Sequence, residues 1–191
     1  DGSTEQLHTG EERRFAGLEV DPDGRIWGLT GDGHLILIAA ADGSLTRQVR
    51  LERHAEVSTF RTLARLEQHA MLIAGPAETG VVFLDENTLE PLGGVAMPPI
   101  REVAVSPTDP DLFATAGDDG RIRLWRYRSG PSPTAEPAGE MGAHAGSVFC
   151  LAFSADGERI ASGGGSPERR DVRIWDVEHG RELAALNLFE Q

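Results

Sequence analysis

Six histidines, one cysteine and a run of three glycines are the first places to look for chemistry in this chain. His8, His34, His54, His69, His144 and His179 show neither HExxH spacing nor a Cys–His cluster, so no metal-ligand set is expected. No GxSxG elbow anchors a Ser/His/Asp nucleophile. All 18 basic residues are arginine, which removes a Walker-type phosphate lysine and a Schiff-base lysine together. Gly163-Gly164-Gly165 is followed by neither a helix start nor a lysine, and reads as loop glycine rather than a phosphate cradle. Asp21-Pro22-Asp23-Gly24 and Asp118-Asp119-Gly120 contain fragments of calcium loops but lack the full spacing and the closing glutamate; hairpin turns explain them. Cys150 lies inside an apolar run, can form no internal disulfide, and is expected to be a small buried hydrophobe. The expectation is a non-enzyme, with no catalytic, cofactor-binding or metal residue.

Charge narrows the partners. Acids outnumber bases 31 to 18, for a formal charge of −13 and a pI near 4.8. Phosphate binding needs a basic surface, so nucleic acid is not an expected partner, whereas a basic protein would be drawn in. No signal-peptide core and no long apolar span is visible, so no membrane partner is expected and a cytoplasmic setting is. At 191 residues the chain has room for one or two domains.

The elements that must position any site are short. Val148 to Phe153 is β-branched and aromatic and stops at Ala155-Asp156-Gly157; Arg159 to Ser162 follows, then the glycine run, then Val172-Arg173-Ile174-Trp175 with strict alternation. His179-Gly180 turns the chain into Leu183 to Leu186. Such runs between Gly, Asp and Pro predict antiparallel strands joined by hairpins. The pattern recurs three times upstream, and Ile38, Leu84, Trp125 and Trp175 stand 46, 41 and 50 residues apart. That period belongs to four-stranded propeller blades. Weak fourth strands are expected at 45–51, 89–95, 138–141 and 182–186, with a loop over 129–137. Arg61–Met71 and Arg181–Phe189 also suit helical spacing, but the surrounding repeat favours strands.

With His144 after a glycine, the Phe153-Ser154-Ala155-Asp156-Gly157 turn, Ser162 and Trp175-Asp176 in that order, the last unit resembles one blade of a WD-repeat β-propeller. The resemblance implies an all-β ring of four-stranded antiparallel blades, with about four in this chain: 11–52, 56–97, 99–142 and 143–188. Residues 1–10 would be the outer strand of a preceding blade. It further implies a hydrogen-bonded set of histidine, Ser or Thr, aspartate and tryptophan. His144, Ser162 and Trp175 match in the last blade. The slot six before Trp175 holds Arg169, the nearest carboxylate is Asp171, and the inserted hairpin displaces that corner. The third blade keeps Thr115, Asp119 and Trp125 without a histidine; the first keeps only Asp32.

WD rings usually need about seven blades, and propellers in general four to eight. Four units are therefore expected to be part of a seven- or eight-bladed ring, finished by a second polypeptide or by residues outside this chain; closing alone or pairing with a copy is the rival. Family members usually work as protein-binding platforms, so the expected function is a protein-interaction scaffold or a regulatory module. The alternative is a catalytic or ligand-binding propeller with its site in the central channel. Candidate partner contacts are Arg13, Arg101, Phe149 (facing the opening), Arg169 and Arg170.

Overall fold

The computed structural model describes residues 14–39, 44–51, 59–76, 80–167 and 169–187. Among the described residues, sixteen strands form four separate four-stranded antiparallel sheets, each a plain meander in chain order. The first sheet holds β1 (Phe15–Val20), β2 (Ile26–Thr30), β3 (His34–Ile38) and β4 (Leu45–Arg50). The second holds β5 (Phe60–Leu66), β6 (Met71–Pro76), β7 (Val81–Asp85) and β8 (Pro91–Val95), with a single 3₁₀ turn at Glu67–His69. The third holds β9 (Ile100–Val105), β10 (Leu112–Gly117), β11 (Arg121–Arg128) and β12 (Thr134–Ala143). The fourth holds β13 (Ser147–Phe153), β14 (Arg159–Gly165), β15 (Arg170–Asp176) and β16 (Glu182–Asn187).

The sheets stack as blades, β1 against β5, β5 against β9 and β9 against β13, so the first strands stand side by side. Each gap is sealed by its own apolar core. Trp27, Leu29, Leu35, Leu63, Leu72 and Leu84 fill the first, Ile73, Phe83, Val103, Phe113, Trp125 and Tyr127 the second, and Ile122, Leu124, Val148, Ile160 and Trp175 the third. Trp125 and Trp175 thus each face the blade before their own. Alternation explains why: neighbouring positions along a strand point to opposite faces, and both faces of an inner blade meet a neighbour. Close approach is built in at Gly17, where a Cβ would lie 2.6 Å from the Leu63 nitrogen.

The two outward faces lie open among the described residues. Phe15, Leu18 and Val20 are 55–59% exposed on the first blade, and Leu186 is 63% exposed on the last. Cys150 is exposed as well, contrary to the buried position expected for it, because β13 turns its other face to the third blade. Two further expectations are corrected. The strand β12 begins at Thr134, inside the segment read as a loop, and pairs with β11 from Arg128 onward. Gly163, Gly164 and Gly165 belong to β14 and extend its ladder to Arg170. The expected outer strand over residues 1–10 lies outside the described residues.

Candidate functional site

Two constellations emerge, one buried and one open. The buried one sits where β12 hands over to the fourth blade. His144 Nδ1 lies 2.5 Å from Asp171 Oδ1, and its Nε2 lies 2.6 Å from Ser162 Oγ. The Trp175 indole donates to the same hydroxyl at 2.7 Å. A carboxylate can only accept, so a neutral His144 carries its proton on Nδ1 and accepts from Ser162 at Nε2. Every donor then faces an acceptor, from indole to hydroxyl to imidazole to carboxylate. Asp171 Oδ2 closes the chain by accepting from Arg173 Nε at 2.9 Å and from a terminal guanidinium nitrogen at 2.7 Å. Burial works against the Asp171 charge, but the hydrogen bonds from Arg173 and His144 and the Arg173 charge prevail and hold its pKa below the usual aspartate value.

Asp171, not residue 169, fills the aspartate corner: the longer hairpin shifts the corner two residues along the chain without abolishing it. The glycine run is what makes this fit. A Cβ at Gly164 would stand 2.8 Å from His144 Nδ1, so the imidazole occupies the space a side chain would need. The longer ladder then brings Asp171 opposite Gly164. Asp, His and Ser stand in the order of a nucleophile triad, yet Ser162 and Asp171 are each 2% exposed and the Ser162 oxygen is held by Trp175. A substrate carbonyl has no approach to it.

The third and first blades carry reduced versions. Trp125 Nε1 donates to Thr115 Oγ1 at 2.9 Å, while Asp119 accepts from the Arg121 backbone at 3.1 Å and from Arg123 at 2.6 Å. In the first blade Asp32 accepts from the Thr30 hydroxyl at 2.6 Å and lies 3.2 Å from His34 Nδ1. Trp27 carries a set the sequence did not reveal. Its indole donates to the Glu86 carbonyl at 2.8 Å, and Arg25 and Arg65 each stand 5.1 Å from its ring centre. Arg65 also pairs with the Glu86 carboxylate at 2.8 Å within the second blade, and Arg25, 3.5 Å from the same carboxylate, joins the first two blades.

The open constellation lies where the first strands begin. In all four blades the ladder between first and second strand skips one residue: Ala16, Arg61, Arg101 and Phe149. A bulge re-aims the side chain it carries. Here it sends four equivalent side chains, one per blade, into a single hollow of about 480 Å³, lined also by Arg14, Phe15 and Phe60. The Arg101 guanidinium lies 5.1 Å from the Phe149 ring centre. Arg61 and Arg101 share one carboxylate, Asp118, which also accepts from Ser147 at 3.0 Å. Its burial favours the neutral form, but the hydrogen bonds from Arg101 and Ser147 and the two guanidinium charges outweigh this and lower its pKa.

Of the expected contact residues, Arg101 and Phe149 line this hollow. Arg169 and Arg170 lie at the same end, on the hairpin beside Ser147, but outside it; Arg169 reaches Asn187 at 3.5 Å. Arg13 lies outside the described residues. In the sequence Arg61 only opens a run read as strand; its bulge position, matched in every blade, was the missed signal. Among the described residues no group of three or more His, Cys, Asp or Glu side chains could hold a metal ion, and no helix is long and apolar enough to cross a membrane.

Four-stranded meanders stacked through their first strands make this chain a set of β-propeller blades, four in number. The fold is that of a chain of Kuenenia stuttgartiensis hydrazine synthase, with a TM-score of 0.77 at 14% identity, over 97% of this chain and 53% of that one. Residues 97–126 and 135–176 match the family described as WD domain, G-beta repeat. These stretches of the third and fourth blades are WD repeats. The second matched unit starts in β12 and ends in β15, so sequence repeat and sheet are one strand out of phase. Protein HIR1 of Kluyveromyces lactis is 38% identical over 88 residues, 40% of this chain and 10% of that protein. Guanine nucleotide-binding protein subunit beta-like protein 1 of Mus musculus is 39% identical over 80 residues, 42% of this chain and 22% of that protein. The chain therefore spans less than a quarter of either relative.

Proposed function

We propose that this chain is a non-enzymatic protein-interaction module, regulatory or scaffolding, that presents the arginine- and phenylalanine-lined hollow to another protein or domain in a cytoplasmic setting. One observation carries the reading: four blades each aim a bulged side chain into a common hollow, so a bound segment touches all of them at once. Rigid, shallow sites of this kind, with arginine and aromatic anchors, suit a protein surface.

The same reading makes the four blades one arc of a larger ring. Phe15, Leu18 and Val20 at one end, and Cys150, Ala152 and Leu186 at the other, form outward sheet faces like those already covered between the inner blades. Exposed sheet faces of this size aggregate unless covered, so further blades cover them. Capture from the native source followed by mass spectrometry tests the interaction: reproducible recovery of a protein partner is expected, and its loss on mutating the hollow supports the site. Size-exclusion chromatography with light scattering tests the arc. A compact, soluble monomer of the isolated chain would refute it.

A further inference from the structure

We infer that the hollow is built for an acidic peptide segment, whose carboxylates take the place of Asp118 between Arg61 and Arg101 and whose apolar side chains lie against Phe149. The inference rests on the interaction reading above and specifies the partner's chemistry. It runs against the charge of the whole chain, which at −13 favours a basic partner.

The local arrangement outweighs that total. Arg14, Arg61 and Arg101 line the hollow, and the carboxylate set between the last two is Asp118, leaving cationic excess where a ligand would sit. Charges beyond about 8–10 Å are screened at physiological ionic strength, so acids elsewhere on the chain count for little there. The paired guanidinium groups already hold a carboxylate, which fixes the anion they accept. Arginine forks suit that planar group, and each can donate more than one hydrogen bond to it. Asp118 sits on the turn after β10, with its side chain 41% exposed, so it can yield its place without disturbing a core. Phe149 supplies the second half of the specificity. It is 51% exposed, stacks on Arg101, and offers an aromatic face next to the anion position. An extended segment alternating Asp or Glu with apolar residues can therefore present its carboxylates to the arginines and its other side chains to Phe149.

The test uses a fluorescein-labelled peptide alternating Glu, Asp and Phe, read by fluorescence anisotropy at low and physiological salt. Binding that weakens with salt is expected, with the Gln/Asn version of the peptide at least roughly ten-fold weaker. Arg61→Gln with Arg101→Gln should lose a similar factor, and Phe149→Ala several-fold, each at unchanged melting temperature. Asp118→Asn should tighten binding several-fold by freeing the arginine pair. Asp119→Asn removes the same charge one residue away, where it serves Arg121 and Arg123, and should leave affinity nearly unchanged. Equal effects of the two asparagine variants, or equal binding of the amide peptide, would overturn the proposal. Tighter binding of a phosphoserine peptide would reassign the hollow to phosphate and overturn it too. Binding of a Lys/Phe peptide instead, lost with Phe149→Ala, would remove the acidic partner but leave the interaction reading intact. That reading itself falls only if native capture recovers no partner.

Discussion

Removing one hydroxyl, Ser162→Ala, measures what the buried relay contributes. Ser162 Oγ stands 2.7 Å from the Trp175 indole nitrogen and 2.6 Å from His144 Nε2, so alanine strips both of a partner in one step. Trp175 is 2% exposed and His144 5%, which leaves neither with ready access to water. A buried polar group without a partner costs about 1–3 kcal/mol, so two orphaned groups predict a loss of roughly 2–6 kcal/mol. Thr115→Val in the third blade is the matched control. It occupies the equivalent register, opposite Arg123 as Ser162 is opposite Arg173, but serves Trp125 without a histidine. One orphaned indole should cost about 1–3 kcal/mol. For a protein of this size 1 kcal/mol moves the Tm by about 2–4 °C, so Ser162→Ala should melt roughly 4–24 °C lower and Thr115→Val about half as much. Urea unfolding followed by tryptophan fluorescence gives both free energies, and Ser162→Thr should restore most of the loss. If Ser162→Ala costs no more than Thr115→Val, the hydroxyl is not serving two buried groups and the relay is wrong.

Two carboxylates give opposite responses to pH. Asp171 has a folded pKa below its unfolded one, so its contribution is complete above about pH 4 and disappears as pH falls through the lower, folded value. Asp171→Asn should therefore be less stable than the parent near neutrality, by denaturant titration, with the gap narrowing in acid; a gap constant down to pH 3 would contradict this. Glu102 is shifted the other way: burial raises its pKa, and the hydrogen bonds from Thr62 and Val103 only partly offset it. Its stabilising share is present below the ordinary glutamate value of 4.5 and is lost as pH rises through the folded pKa. Glu102→Gln keeps an acceptor for the Thr62 hydroxyl, 2.6 Å away, without the buried charge. It should melt higher than the parent at pH 7 and close to it at pH 4, and a lower Tm at pH 7 would count against the reading.

Sheet order, the blade period and the approximate strand positions were readable in the sequence because alternation and turn residues are local signals. What escaped it depended on register. Counting back six residues from Trp175 lands on Arg169, but an antiparallel ladder is set by pairing and not by residue count. Two added pairs, Gly164 with Asp171 and Gly165 with Arg170, move the aspartate corner to residue 171. Cys150 failed for a related reason. Its apolar neighbours announce a strand but not which face meets another blade, and the face it shares with Ala152 is outward. The Trp27 cluster joins Arg25, Arg65 and Glu86 across two blades, so no window of sequence contains it.

The bulges link these lessons to function. A regular ladder would alternate every first-strand side chain between the two sealed gaps, where apolar packing dictates identity. One skipped residue per blade releases a single position from that constraint at the same height in each sheet. There the chain carries Ala16, Arg61, Arg101 and Phe149, a small residue, two cations and an aromatic, where core packing would demand uniform aliphatics. Diversity at a position that the fold repeats four times is what a recognition surface requires: the backbone supplies a rigid row of equivalent sites, and the side chains set the partner's chemistry. Substitutions in that row should therefore alter binding far more than stability, whereas Ser162 and Trp175, buried in the fourth blade, should do the reverse.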